Sequence, residues 1–120
     1  MNTEMKPTVL IVEDDMLQRT LASMLLEDSD MRVIECESAE AAVSVLDECG
    51  DQISLLFTDV NLAGRMDGVE LTRIARRKFP HMNVVVTTGN GTPPLPAGAM
   101  FMPKPWNALD LLREAAKVRS

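Results

Sequence analysis

An α/β fold built on a doubly wound parallel sheet is the architecture that three features of this sequence predict. Short apolar runs of strand type alternate with longer stretches of helical spacing. Four of those runs end abruptly in acids, hydroxyls or an amine, and ligands of open parallel sheets sit just beyond the carboxyl ends of strands. The chain is also short. Its 120 residues make one domain, 1–120, with an ordered core expected over 7–118.

The elements follow in order. After a short frayed start, Thr8 to Val12 is the first strand and ends in Glu13-Asp14-Asp15. Asp15 can cap the next helix, whose inner stripe is expected to be Leu17, Leu21, Met24 and Leu25. Met31 to Cys36 is a mixed, edge-type strand. Ser38 caps a second helix with Ala42, Val45, Leu46 and Cys49 inward, and Gly50 stops it. Ile53 to Thr58 is a buried strand that runs into Asp59. A polar loop follows, and Asp67 with Glu70 has the spacing of a capping box. Leu71, Ile74, Ala75 and Phe79 form the buried face of helix three, which Pro80 ends. Asn83 to Thr87 and Ala99 to Met102 are the last two strands. Between them, Gly89 to Pro96 cannot be a regular helix, because Gly and Pro break it repeatedly. Asn107 caps the final helix, with Leu109, Leu112 and Ala116 expected inward. Right-handed crossovers narrow the topology. A strand order 2-1-3-4-5, a known order of doubly wound sheets, places the reversal between strands one and three.

Composition excludes several function classes. The net charge of −6 disfavours direct binding to nucleic-acid phosphates. The basic cluster Arg73, Arg76, Arg77 and Lys78 reads as a solvated helix end, where cations suit the dipole. Cys36 and Cys49 lack the spacing and companions of a zinc site and read as buried thiols of a reducing compartment. No run approaches the length of a membrane span, and Met1 to Lys6 shows no signal-peptide pattern. A cytoplasmic protein without membrane contact is the expectation.

The predicted topology sets Glu13, Asp14 and Asp59 across one crevice. At about 5 Å and an effective dielectric near 20, each carboxylate pair costs roughly 3 kcal/mol. A fold keeps such a cluster when a cation offsets it or one acid is protonated. Oxygen donors without His or Cys favour Mg²⁺, or Mn²⁺ in its place. Taken alone, Glu13 to Asp15 reads better as a helix cap; Asp59 at the neighbouring strand end changes that. Asp59 as nucleophile would form an acyl phosphate. The phosphoryl oxygens then need charge compensation, which the Lys104 ammonium and the Thr88 hydroxyl can supply beside the metal.

These residues resemble the receiver domain of two-component response regulators. The resemblance rests on VLIVEDD (Val9 to Asp15), LLFTD (Leu55 to Asp59), MDG (Met66 to Gly68), VVTTG (Val85 to Gly89) and KPW (Lys104 to Trp106). It spans nearly the whole chain; no single piece is specific, but their order is. It implies a flavodoxin-like sheet and a chemotaxis-regulator-like protein. Asp59 would be the phosphoacceptor, with Lys104 and Thr88 holding phosphoryl oxygens. Asp14 would ligate Mg²⁺ directly, Glu13 mostly through water, and Asn61 through its backbone carbonyl, next to Asp59 itself. Thr88 and Phe101 would form a switch pair, and the Lys104-Pro105 bond would be cis. The phosphoryl donor would be a phosphohistidine on a sensor histidine kinase or a histidine phosphotransfer protein. The downstream partner would be another protein, unnamed by the sequence. The chain would not be an enzyme acting on outside substrates; its chemistry would be its own phosphorylation and dephosphorylation. His81 does not look like a phosphodonor.

Three departures from the pattern carry expectations. Ala63 stands where most relatives have Pro, in a loop one residue longer, which a turn at Gly64 could absorb. Only fifteen residues separate Thr88 from Lys104. The helix that relatives place there should be missing or cut to one turn, so their usual dimer is not assumed. With no effector domain after Ser120, a stand-alone regulator is expected, or else the receiver segment of a hybrid histidine kinase. A phosphorylation-independent interaction module and an aspartate-nucleophile phosphatase are the other readings. Against the last, Asn61 occupies the position where such a phosphatase carries its general acid, and it cannot transfer a proton.

Overall fold

The apolar runs become strands because the sheet buries them, the three central ones on both faces and the two outer ones only in part. A computed structural model describes residues 6–118. The start expected to be frayed, 1–5, lies outside the described residues, as do Arg119 and Ser120. The strands are β1 (Thr8–Val12), β2 (Arg32–Cys36), β3 (Ile53–Asp59), β4 (Asn83–Thr88) and β5 (Ala99–Pro103). All neighbours pair in parallel, in the order β2-β1-β3-β4-β5. The sheet therefore reverses its winding between β1 and β3, as the sequence predicts.

Alternation along the strands divides the core in two. Leu10, Val12, Leu56, Val84 and Val86 face α2 (Ala39–Cys49) and α3 (Gly68–Lys78). Val9, Ile11, Leu55, Phe57, Val85 and Met102 face α1 (Met16–Asp28) and α4 (Ala108–Ala116). Each helix starts on a side-chain cap. Asp15, Ser38, Asp67 and Asn107 accept hydrogen bonds from the amides of Gln18, Ala41, Glu70 and Asp110.

Two helices turn a different row inward from the one expected. On α1, Ala22 and Leu26 are buried with Ser23; of the expected row Leu25 is half-buried against the core, while Leu17, Leu21 and Met24 are exposed. On α4, Leu111 and Ala115 are buried, Leu112 is half-buried, and Leu109 and Ala116 are exposed. Both helices carry two apolar rows of helical spacing, so periodicity alone does not choose between them. The sheet takes the row whose small members, Ala22 and Ala115, permit close approach. Gly50 ends the second helix, as expected. It closes α2 with a right-handed φ of −55°, not the left-handed turn of a glycine stop, and leads into a short 3₁₀ turn, Gly50–Gln52. A Cβ there would overlap the Phe79 ring, so packing is what requires glycine.

No helix lies between β4 and β5 among the described residues. The segment after Thr88 runs through bends and extended chain to Gly98, whose φ is +90°. Leu95 packs on the α2–α3 side of the core. Arg76, expected on a solvated helix end, instead turns onto this segment. Its guanidinium donates to the Ala97 carbonyl at 3.2 Å and to the Pro80 and Met82 carbonyls at 2.7 Å each. Arg73, Arg77 and Lys78 are exposed, as expected. Both cysteines are free, Cys36 buried and Cys49 half-buried. No helix among the described residues is long and apolar enough to cross a membrane.

Candidate functional site

The acids after β1 divide the work that the sequence leaves ambiguous. Asp15 is the helix cap. Glu13 turns back into the protein, 7% exposed, while Asp14 stays exposed. The Glu13 amide donates to the Cys36 carbonyl at 3.1 Å, and Arg19 donates to the Glu13 carbonyl at 2.8 Å. The backbone is thus held on both sides while the carboxylate accepts from the Asp15 amide at 3.0 Å.

Asp59 ends β3 one strand away and is 6% exposed. Its Oδ1 accepts from the Asn61 amide at 3.3 Å. Gly68 opens α3 directly behind it. The Gly68 amide donates to the Val60 carbonyl at 2.9 Å, and a Cβ on Gly68 would collide with the Asp59 carbonyl.

Lys104 closes the site from beyond β5. Its amide donates to the Thr88 carbonyl at 3.0 Å, and the Lys104-Pro105 bond is cis, as the resemblance implies. The ammonium reaches Asp59 Oδ2 at 2.9 Å and Glu13 Oε1 at 3.1 Å. One cation thus bridges two buried acids 91 and 45 residues away in the chain. Burial alone would lower the Lys104 pKa, but the bonds to Asp59 and Glu13 outweigh it and the net shift is upward. Glu13 moves upward too, although an ion pair by itself would lower it. Its burial is the largest cause, and the Asp59 charge adds to it against the bonds from Asp15 and Lys104.

The Thr88 hydroxyl is buried at the end of β4 and accepts from the Asn90 amide at 3.2 Å and from Asn61 Nδ2 at 3.4 Å. The Asn61 side chain therefore spans from β3 to β4, a contact the sequence reading did not include. Phe101 is half-buried on β5, in register with Val86. Trp106 packs edge-on against Phe57, with ring centroids 5.6 Å apart. His81 is exposed beside a hollow at the other end of the strands, away from this set.

One oxygen from each of Glu13, Asp14 and Asp59 lies within 4.8 Å of the others. Three carboxylates against one ammonium leave a net negative site. A donor set of oxygens alone, partly open through Asp14, fits a hard divalent ion such as Mg²⁺ that keeps some of its water.

The loop after Asp59 has an anchor that the sequence does not reveal. Glu40, in the first turn of α2, accepts from the Arg65 amide at 3.0 Å and the Met66 amide at 3.1 Å. Gly64 takes the expected turn with φ +100°, and a Cβ there would meet the Glu40 carboxylate.

An acid cluster and a lysine meet at the switch point of a doubly wound sheet, the place where ligands of such folds bind. The chain belongs to the response regulator receiver domain family, which matches residues 9–115, and is a receiver domain of two-component systems. It is 34% identical over 119 residues to the response regulator protein FleR of Pseudomonas aeruginosa, covering 94% of this chain and 24% of that protein. The chain thus spans only about a quarter of FleR's length. It is 30% identical to the response regulator receiver protein CpdR of Brucella abortus, covering 92% of this chain and 94% of that protein. The receiver domain of the hybrid histidine kinase CckA superposes with a TM-score of 0.81 at 29% identity, over 92% of this chain and 96% of the other. A receiver protein of Sinorhizobium medicae shares the fold with a TM-score of 0.85 at 22% identity, over 94% of each chain.

Proposed function

We propose that this receiver domain is a phosphoacceptor switch in which Asp59 takes a phosphoryl group from a phosphohistidine. The observation that carries the reading is the Lys104 ammonium 2.9 Å from Asp59 inside a cluster with Glu13 and Asp14. An Asp59 carboxylate oxygen attacks phosphorus in line, the P–N bond to the donor histidine breaks, and the imidazole leaves with the electron pair and is protonated. Mg²⁺, held by Asp14, Asp59, the Asn61 carbonyl and Glu13 through water, would supply charge compensation for the phosphoryl oxygens. Lys104 holds a second oxygen with its ammonium. Thr88 donates its hydroxyl hydrogen to a third; its contacts to Asn90 and Asn61 use the oxygen only as an acceptor. Water later cleaves the acyl phosphate, so the chain acts on itself and not on outside substrates.

The donor would be a sensor histidine kinase or a histidine phosphotransfer protein, in the cytoplasm. Exposed Met16, Leu17, Leu21 and Met24 on α1 give such a partner an apolar surface, and Leu21 lines a hollow shared with Lys104 and Trp106. Thr88 and Phe101 would pass the change to a downstream protein, without direct DNA contact. A role as the receiver segment of a hybrid kinase is the second reading, and the likeness to the CckA receiver favours it. Incubation with Mg²⁺ and a small acyl phosphate, followed by intact-mass measurement, tests the reading. One phosphate should add to the wild type and none to Asp59→Asn. Addition that persists in that variant, or no addition to the wild type, overturns it.

A further inference from the structure

We propose that Glu40 is a positioning residue for the metal side of the site: its carboxylate latches the loop that carries Asn61 onto α2. An exposed acid in the first turn of a helix is ordinarily a dipole partner facing water. Glu40 does more than that. Its Oε2 accepts from two consecutive amides, Arg65 at 3.0 Å and Met66 at 3.1 Å, across 25 and 26 residues of chain. Gly64 sits against the same carboxylate, in a left-handed conformation that leaves room for it. Beside it, Ser38 and Ala63 form a single parallel bridge, so the start of α2 and the loop are joined at two points. Pulled by these amides, which follow its own amide in weight, the Glu40 carboxyl titrates below its ordinary range and stays ionised to acid pH.

The loop needs such a latch. It runs from Asp59 to the Asp67 cap of α3, with Asn61 two residues in. Among the described hydrogen bonds, the stretch from Leu62 to Met66 is tied to the rest of the protein by side chains only through Glu40. A backbone carbonyl can ligate an ion only where its loop is fixed, and second contacts of this kind hold the ligands of metal sites. Glu40 does so at one remove, with the ionised carboxylate on neutral amides that makes for a strong hydrogen bond.

This inference rests on the Mg²⁺ site proposed above, and the experiment separates the two. Mg²⁺ binding to the full chain is measured by calorimetry for the wild type, Glu40→Ala, Glu40→Gln and Asp14→Asn. Amide exchange at Arg65 and Met66 is measured in metal-free protein. Glu40→Ala should weaken Mg²⁺ binding by roughly tenfold and speed exchange at both amides. Glu40→Gln keeps an acceptor oxygen and should recover most of the affinity, which a role in the helix dipole alone would not give. Affinity of Glu40→Ala within about twofold of the wild type, or unchanged exchange at both amides, overturns the latch. If Asp14→Asn still abolishes binding in that case, the metal site stands and only the latch falls. No Mg²⁺ binding by the wild type removes both.

Discussion

The two flanks of the sheet are held by opposite means. On the β1–β3 flank, a carboxylate grips backbone amides: Glu40 holds Arg65 and Met66. On the β4–β5 flank, at the opposite end of the strands from the site, a guanidinium grips backbone carbonyls: Arg76 holds Pro80 and Met82 in the turn before β4 and joins them to Ala97 in the segment before β5. The first flank keeps its helices and needs only a loop anchored. The second has lost a helix, and with it the internal hydrogen bonds that a helix makes for itself. Extended chain leaves carbonyls that need donors, and an arginine with five N–H groups is the side chain that can serve several at once. Gly98 leaves the space that the guanidinium occupies. In place of that helix, the segment is anchored by Leu95 on the core and by one side chain from α3 at Ala97.

If the flanks are independent, damage to one should leave the other intact. Gly68→Ala is the severest way to break the first. The new Cβ would strike the Asp59 carbonyl, which is backbone and cannot swing aside. The substitution should cost about 3 kcal/mol in urea unfolding and weaken Mg²⁺ binding as well, because β3 must shift beneath Asp59. A Gly68→Ala protein with unchanged stability would show that the strand end moves freely. Arg76→Met breaks the second flank while keeping much of the aliphatic stem. Three bonds from a charged donor are lost, two of them at 2.7 Å. Arg76 is half-buried, so water replaces part of them, and about 2 kcal/mol should be lost. Mg²⁺ affinity should hold within about twofold. A large fall in Mg²⁺ affinity would mean that the flanks are coupled through Thr88 and Asn61.

The same two flanks differ in how far the sequence reveals them. Asp59, Glu13, Asp14, Thr88 and Lys104 were legible because each ends or follows a β-type run, and a parallel sheet gathers strand ends at one rim. The absence of a helix before β5 was legible because Pro93, Pro94 and Pro96 forbid one. Glu40 and Arg76 were not. Glu40 acts on amides 25 and 26 residues away and Arg76 on one carbonyl 21 residues away beside two nearby ones, and a side chain that bonds a distant backbone leaves no pattern of spacing. The inward rows of α1 and α4 failed for another reason. Leu17 and Leu21 satisfy helical spacing as well as Ala22 and Leu26 do, and only the sheet, by the distance at which it packs, selects between them.

The finest test of the comparison is electrostatic and concerns the metal-free protein. Lys104 comes from the β5 flank and neutralises acids of the β1–β3 flank, yet burial and Asp59 still hold the Glu13 carboxyl above its ordinary value of 4.5. Over the window from that value to the raised one, the folded chain keeps a proton that the unfolded chain has released. Folding takes up that proton, so the Glu13 contribution to stability falls as pH rises through the window and stays low above it. Glu13→Gln removes the titration. With chelator present, the stability of Glu13→Gln relative to the wild type should rise between pH 4 and the upper end of the window, then level off. Excess Mg²⁺ should erase the rise, because a cation favours the ionised acid. A difference between the two proteins that stays flat with pH would mean that Lys104 alone fully offsets the buried charge, and that the β5 flank, not the ion, sets the electrostatics of Asp59.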